Sequence, residues 1–240
     1  DINTKRVKEI KDGIYNINSD ERTIGEIDQK EKERFIVTDD YMIEPVYECS
    51  IHMLCLPTEK NFQPTRDYVE DVVGKIASMK LRNILVIIES SMPPRYIDES
   101  IINIFTQKGM KEYEDYVIGA APRRDLFGDK YFSLRETDRV IGADCIETTK
   151  IMESFYNTFC SKLVIAKDCY HAVLSKIVEN TFRCLDISLC NQLALGLKEF
   201  DVVHVLELAA TKWNMERYHP SFGIGGYCIP LAPQYIKEQM

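Results

Sequence analysis

The feature that most constrains the fold of this chain is an alternation between continuous apolar runs and amphipathic segments. The run NILVIIESSMPP at residues 83–94 is rich in β-branched residues and ends at two prolines. Just before it, residues 65–80 carry Tyr68, Val72 and Ile76 at helical spacing, which predicts a helix. Apolar strands that alternate with helices are typical of a parallel sheet covered on both faces. We therefore predict an α/β fold.

The same alternation continues through the first two thirds of the chain. Further strands are predicted over residues 49–58, 116–122, 138–143 and 162–166, and further helices over residues 95–109 and 147–160.

The last third of the sequence has a different character. Residues 170–200 contain no proline and a single glycine near the end, which predicts one long helix, and a second helix is predicted over residues 202–213. We place a domain boundary near Asp168, which gives an α/β domain over 1–168 and a helical domain over 169–240.

Charge and hydropathy narrow the classes of partner. The 240 residues carry a formal net charge of -8, which disfavours binding to nucleic acid or to anionic membrane surfaces. No apolar run is long enough to span a bilayer, and no basic-then-apolar leader opens the sequence. These features predict a soluble cytoplasmic protein. Because the sequence begins at Asp1 without a methionine, we expect it to be a fragment.

Eight cysteines raise the question of metal or disulfide chemistry. Most of them lie inside apolar segments, which favours reduced, buried thiols over a disulfide framework. Cys49, His52 and Cys55 are close together, but their segment is mostly apolar and lacks a second pair of ligands. We predict a buried strand there and no metal site.

The stretch SFGIGGYCIP at residues 221–230 places three glycines ahead of Cys228. Glycines let the backbone approach a ligand, and a cysteine in such a loop can act as a nucleophile when a cation such as Lys176 lies nearby. On the predicted long helix, Lys176 and Asn180 share one face and form a donor pair suited to an oxygen anion. An inert cysteine beside a glycine turn, with a lysine and an asparagine on the helix surface, explains the same residues equally well.

These segments together resemble the UDP-glucose/GDP-mannose dehydrogenase family of nucleotide-sugar dehydrogenases. The resemblance covers nearly all 240 residues, and its motifs occur in the order and at about the spacing of the family. They are DINTKRV at 1–7, LPT at 56–58, IESSMPP at 88–94, RVIGA at 139–143, SKIVENTFRCLDISLCNQLAL at 175–195 and GIGGYCIP at 223–230.

The resemblance implies an NAD-dependent oxidation of the C6 alcohol of a nucleotide sugar to a carboxylate, in two hydride transfers through a cysteine thioester. Cys228 matches the family's nucleophile, Lys176 its oxyanion-stabilising lysine, and Asn180 the helical neighbour of that lysine. Gly225 and Gly226 would wrap the sugar of the substrate. Residues after Cys228 look more like the N-acetylhexosamine branch, such as UDP-N-acetylmannosamine dehydrogenase, than the UDP-glucose branch.

The resemblance also implies that further residues of this chain contact the cofactor, NAD. Asp1 resembles the acidic residue that hydrogen-bonds the ribose, and Arg6 matches a basic residue of the cofactor pocket. Pro57, Thr58 and Ser91 fall on the family's cofactor and active-site loops, where Ser91 replaces the more usual threonine. The implied fold is an incomplete Rossmann-like parallel sheet over 1–168, followed by a long-helix, all-α central dimerisation domain, so a homodimer through the long helix is expected.

The sequence also departs from the family pattern. The glycine-rich phosphate turn that normally opens the fold and the C-terminal nucleotide-sugar-binding domain are absent from it, so a protein truncated at both ends is expected. Arg123 stands where the family has a glutamate that assists thioester hydrolysis, and Ala232 replaces an aspartate. Tyr227 replaces a frequent histidine, and Val173 a glutamate. Because a cation cannot act as a general base, impaired catalysis is expected.

Two other functions are open from the sequence. One is a non-catalytic remnant of the fold that serves as a dimerisation or interaction module. The other is a thiol hydrolase in which His219 activates Cys228, although no third group that would orient the histidine is evident.

Overall fold

The computed structural model describes residues 3–12, 35–124 and 133–240. In these ranges the strands are β1 (Ile51–Leu54), β2 (Glu59–Lys60), β3 (Gln63–Pro64), β4 (Ile84–Ile88), β5 (Tyr116–Ala120), β6 (Arg139–Ala143) and β7 (Leu163–Ile165). The helices are α1 (Thr4–Lys11), α2 (Glu44–Tyr47), α3 (Asp67–Ser78), α4 (Asn103–Gln107), α5 (Ile146–Tyr156), α6 (Cys169–Gly196), α7 (Val202–Ala209) and α8 (Cys228–Gln239). A π-helical turn, Ile97–Ile102, leads into α4.

The apolar runs of the sequence form the main sheet, whose five strands are ordered β1-β4-β5-β6-β7. The α/β prediction is confirmed, but the sheet is mostly rather than wholly parallel. β5 and β6 pair antiparallel, whereas the other three pairs are parallel. A parallel connection needs a crossover, usually a helix. The described residues between β5 and β6 include no helix, and the chain reverses there.

The two faces of the sheet pack on separate apolar cores, because successive side chains of a strand point to opposite faces. On β4, Val86 and Ile88 join a core formed with α3, the π-helical turn, α6 and α8, whereas Leu85 and Ile87 join a core formed with α5. All five residues of β4 are buried. Helices on both faces explain why the strand is apolar throughout.

The long helix α6 begins against the sheet and continues beyond it. Ala172, Val173 and Ile177 belong to the same core as β4, and an ideal Cβ on Gly142 of β6 would lie only 2.2 Å from the carbonyl oxygen of Asp168. The helix ends at Gly196, four residues before the predicted end. In the described part of the chain, no helix has both the length and the apolar character that crossing a bilayer requires.

Candidate functional site

The turn that follows β1 is fixed to the turn that follows β4. The backbone N–H of Leu56 donates to Ser90 Oγ at 2.7 Å, and Thr58 Oγ1 donates to the carbonyl oxygen of Ser91 at 2.5 Å. Because parallel strands end at the same edge of a sheet, these bonds place Pro57, Thr58 and Ser91 together. Such an edge is the usual ligand position in α/β sheets.

Cys228 is the first residue of helix α8, a helix that the sequence did not predict. Gly226, two residues earlier, has a φ of +75°, a conformation that favours glycine and turns the chain into the helix. The N–H groups of Cys228 and Ile229 lie in the first turn, where no intrahelical acceptor is available, and Pro230 has no N–H. The thiol is exposed at a helix end that favours negative charge on a bound group.

Tyr235 joins α8 to the turn at the sheet edge. Its hydroxyl oxygen lies 2.8 Å from Thr58 Oγ1 and 3.1 Å from the carbonyl oxygen of Thr58. The Tyr235 hydroxyl donates to the Thr58 carbonyl oxygen, so this bond attaches α8 to the backbone of the turn. Burial raises the pKa of Tyr235 above its usual value of 10, so the phenol keeps its proton.

These elements enclose a cavity of about 430 Å³ beside the thiol. It brings together five residues that the sequence indicated for the site, namely Pro57, Thr58, Ser91, Asn180 and Cys228. Tyr227 and Ala232, which the sequence analysis noted as replaced positions of the family pattern, also line it. The rest of its lining was not predicted: Leu56, Glu59, Ile177, Leu231 and Tyr235. Volumes of this order hold small-molecule ligands.

Asn180 and Lys176 differ in their position relative to this cavity. Asn180 is 3% exposed and lines the cavity. Lys176, one turn earlier on α6, is not among the lining residues, and its Nζ lies 3.3 Å from Glu179 Oε1. Glu179 also pairs with Arg124 at 2.8 Å, so its carboxylate is shared between two cations.

A second cavity, of about 610 Å³, adjoins the first at Leu56 and Pro57. Its lining includes Cys55 after β1 and Tyr68, Asp71 and Lys75 on the outer turns of α3. Because Leu56 and Pro57 belong to both walls, the two cavities lie side by side, an arrangement that suits an extended ligand with one end near Cys228. Burial raises the pKa of Cys55, and the charge on Glu89 adds to that rise.

The remaining candidate residues lie elsewhere. Asp1 is outside the described residues. Arg6 lies on α1, where its guanidinium pairs with Glu9 at 3.2 Å, and neither it nor Gly225 or Gly226 lines the cavities. Arg123 is exposed, and its charge acts on Cys55 rather than in the cavity beside Cys228. His219 is exposed and is absent from the lining of the Cys228 cavity, which disfavours the thiol-hydrolase alternative.

The buried charges at this end of the sheet are a structural group. Arg139 pairs with Glu89, to which the Tyr156 hydroxyl also donates, and Arg139 donates in addition to the carbonyl oxygen of Ala121. A buried charge of this kind is tolerated only when it is paired and hydrogen-bonded. The group therefore fixes β4, β6 and α5 to one another.

Two domain models of a single protein family together match most of the chain. Residues 1–160 match the NAD binding domain of the UDP-glucose/GDP-mannose dehydrogenase family, and residues 170–240 match its central domain. The chain is 28% identical over 244 residues to the UDP-N-acetyl-D-mannosamine dehydrogenase of Pyrococcus horikoshii, covering 98% of this chain and 57% of that protein. It is 27% identical over 249 residues to the UDP-N-acetyl-D-glucosamine 6-dehydrogenase of Salmonella typhi, covering 100% of this chain and 56% of that protein.

A solved structure of UDP-D-ManNAc dehydrogenase from Pyrococcus horikoshii matches the fold with a TM-score of 0.84 at 27% identity. The match covers 98% of this chain and 56% of that one. The chain thus spans little more than half the length of these relatives.

Proposed function

The chain belongs to the UDP-glucose/GDP-mannose dehydrogenase family, and from that premise we propose that it is an NAD-dependent nucleotide-sugar 6-dehydrogenase. The proposed substrate is a UDP-N-acetylhexosamine such as UDP-ManNAc, which is oxidised to its uronic acid. The observation that carries the proposal is the cavity that places Cys228 and Asn180 beside the Thr58 and Ser91 turns. Named relatives that act on UDP-ManNAc and UDP-GlcNAc support the choice of sugar.

The sheet edge fits NAD, the cofactor of this family's N-terminal domain, because the turns after β1 and β4 meet there beside two adjoining cavities. Pro57, Thr58 and Ser91 would hold the end of the cofactor that faces Cys228, and the second cavity, past Leu56, would hold the remainder. Asp1 and Arg6 would contact the adenosine half. When bound, NAD accepts a hydride from C6 of the sugar in each of the two oxidation steps.

The residues of this chain supply the covalent chemistry. Cys228 attacks the C6 aldehyde and forms a thiohemiacetal, whose further oxidation leaves a thioester on the sulfur. Asn180 and Lys176 would donate hydrogen bonds to the C6 oxygen while it carries negative charge, once Lys176 turns from Glu179 towards the substrate. Gly225 and Gly226, just before the thiol, would pack against the sugar. Water then hydrolyses the thioester and frees Cys228.

Two replaced positions predict a slower reaction than the family pattern provides. Arg123 cannot accept a proton, and Ala232 is an apolar residue that is buried in the wall of the cavity. The loss of a positioned acid or base typically costs about 100- to 10,000-fold in rate. We place the reaction in the cytoplasm, because a nucleophilic thiol has to stay reduced.

We also propose a homodimer that forms through α6, within a helical central domain that spans 169–240 and follows an NAD-binding domain over 1–168. An exposed apolar stripe supports it, formed by Val178, Phe182, Leu185 and Leu189 at helical spacing. Their exposed fractions are 37%, 63%, 59% and 60%. A contiguous apolar surface of this kind marks an interaction site.

The same stripe, together with the replaced positions, favours one alternative. In it, the chain is a non-catalytic member of the family that acts as a dimerisation or interaction module. Such a protein would form the dimer without binding NAD or a nucleotide sugar.

Calorimetric titration of the purified chain with NAD and with UDP-ManNAc separates the two functions. The dehydrogenase proposal predicts saturable heat for both ligands. If neither ligand gives binding heat in a preparation that is folded and dimeric, the result would contradict the dehydrogenase proposal and support the alternative.

A further inference from the structure

The cavity beside Cys228 contains one carboxylate, although Arg123, Val173 and Ala232 stand at positions where the family pattern has carboxylates. Among its lining residues, all of them in the described part of the chain, only Glu59 is acidic. Glu59 lies one residue after Thr58, so it is at the same edge of the sheet as the proposed cofactor contacts. The resemblance assigns no role to this position.

The backbone holds Glu59 in place. It lies in β2, opposite Pro64 of β3, and its Oε2 accepts a hydrogen bond from the N–H of Phe62 at 3.0 Å. Asn61 and Phe62 form the turn between the two strands with φ values of 55° and 60°. A bulky residue such as Phe62 adopts this left-handed conformation only under strain, so contacts elsewhere must offset that strain.

Those contacts are made with the start of α8. The Phe62 ring stacks on the Tyr227 ring at 5.4 Å between centroids and an interplanar angle of 20°, next to Cys228 in sequence. Gln234 Nε2 donates to the carbonyl oxygen of Phe62 at 3.2 Å. The hairpin is therefore docked on the helix that carries the thiol, and the Glu59 carboxylate is fixed relative to Cys228.

Glu59 is also available as a proton acceptor, in contrast to the other carboxylate near the site. Glu179 is held by Arg124 and Lys176, whereas Glu59 makes no ion pair with any described residue. The structure shows one hydrogen bond to its carboxylate, at Oε2, and none to Oε1 from the described residues. Glu59 and Cys228 line the same cavity, which places the two residues at one site.

We propose that Glu59 is the general base that hydrolyses the acyl group on Cys228. This inference rests on the proposed function for the role of Cys228 as the acylated nucleophile. The carboxylate removes a proton from a water molecule while the water oxygen bonds to the thioester carbonyl carbon. The C–S bond then breaks, the sulfur leaves as a thiolate and the acyl group leaves as a carboxylic acid, so no oxidant is needed in this step.

The test uses an acyl group that requires neither NAD nor a nucleotide sugar. p-Nitrophenyl acetate is added to acylate Cys228, the excess is removed, and the loss of the acetyl group is followed by mass spectrometry of the peptide that contains Cys228. Cys228→Ala gives the background from the other cysteines. Glu59→Gln keeps the acceptor for the Phe62 N–H but cannot take up a proton at neutral pH.

We expect Glu59→Gln to deacylate about 100-fold more slowly than the unchanged protein, as for the loss of a general base. Hydroxylamine, which attacks thioesters without a base, should release the acetyl group equally fast from both proteins. Glu114→Gln is the matched control, because Glu114 is an exposed carboxylate paired with Lys111, and it should deacylate at the unchanged rate. Glu59→Asp, which keeps a carboxylate on a shorter side chain, should deacylate at a rate between those of Glu59→Gln and the unchanged protein.

Equal deacylation of Glu59→Gln and the unchanged protein would overturn the assignment of Glu59, as would slow release by hydroxylamine, which indicates a merely structural role. If Glu59→Gln does not fold, the rate of Glu59→Asp decides the same question. Failure of the dehydrogenase proposal is seen separately, as absence of NADH formation by the unchanged protein. A Cys228 that p-nitrophenyl acetate does not acylate would contradict both.

Discussion

Single hydroxyl groups connect the parts of this site. The Thr58 hydroxyl donates to the Ser91 carbonyl oxygen, and the Thr58 carbonyl oxygen accepts from the Tyr235 hydroxyl, so that one residue links the ends of β1 and β4 to helix α8. The Thr58 side chain is 7% exposed, and a buried hydroxyl is tolerated there because its hydrogen bonds are satisfied. Thr58 and Tyr235 therefore help to set the distance between the Cys228 thiol and the sheet edge where we propose that NAD binds.

The burial of His52 on β1 makes the free energy of unfolding depend on pH. Burial lowers the pKa of His52 below its usual 6.5. Its Nδ1 lies 3.2 Å from the Tyr41 hydroxyl oxygen, and no residue in the described ranges hydrogen-bonds its buried Nε2. Below about pH 6.5 the unfolded chain binds a proton at His52 that the folded chain does not, so stability falls on acidification.

Urea unfolding at several pH values tests this expectation. The contribution of His52 to the slope is at most about 1.4 kcal/mol for each pH unit and is confined to pH values below about 6.5. His52→Gln, which does not titrate, should show a shallower fall in the free energy of unfolding over this range. Identical slopes for the two proteins would mean that His52 is protonated equally in both states.

At the level of elements, the contact between β6 and α6 sets the position of the long helix. A Cβ on Gly142 would meet the Asp168 carbonyl oxygen at 2.2 Å and the Ala172 Cβ at 3.0 Å. We expect Gly142→Ala to lower the free energy of unfolding by about 1–3 kcal/mol, because the strand and the helix must separate.

Gly74→Ala is the matched control for this change. Gly74 lies within α3, and a Cβ there would meet no described atom within 4 Å apart from the nearby backbone of its own helix. This substitution should raise stability by about 0.5–1 kcal/mol, because glycine is a poor helix former. Denaturant unfolding of both variants checks the opposite signs, and a neutral Gly142→Ala would show that β6 and α6 are not in close contact.

The sequence was informative about elements where one local signal dominated. Continuous apolar runs predicted β4 and β6, and the absence of proline predicted α6, which ends early because Gly196 is a poor helix former. Helix α8 was missed because glycines before it and Pro230 and Pro233 within it indicate a loop. Pro230 is the third residue of the helix, where its missing N–H has no intrahelical acceptor to lose. The antiparallel β5–β6 pair was missed because strand direction depends on the path of the connection.

The site was predictable only where a motif marks it. Cys228, Asn180, Thr58 and Ser91 belong to recognisable motifs, and the fold brings them together. Tyr235 follows Cys228 by seven residues, which is the same face of a helix, and would have been found had α8 been predicted. Glu59 carries no periodic or motif signal, because its place in the wall of the Cys228 cavity depends on the docking of a two-strand hairpin on α8.

At the level of the whole molecule, the apolar stripe on α6 predicts the oligomeric state. Leu185→Asp places a charge within the stripe, and we expect it to shift the protein from dimer to monomer in sedimentation velocity. Ile151→Asp is the matched control, because Ile151 is 51% exposed but lies on α5, away from the stripe. A Leu185→Asp variant that remains dimeric would contradict an interface through α6.

The central claim, that this chain uses Cys228 to oxidise a nucleotide sugar with NAD, is tested most directly by counting NADH. Purified protein is mixed with NAD and a limited amount of UDP-ManNAc, and NADH absorbance is followed to its end. We expect two molecules of NADH for each molecule of sugar consumed, since an alcohol becomes a carboxylate in two oxidations, and loss of the uronic acid product in Cys228→Ala. No NADH from the unchanged protein, or the same yield of uronic acid from Cys228→Ala, would contradict the account.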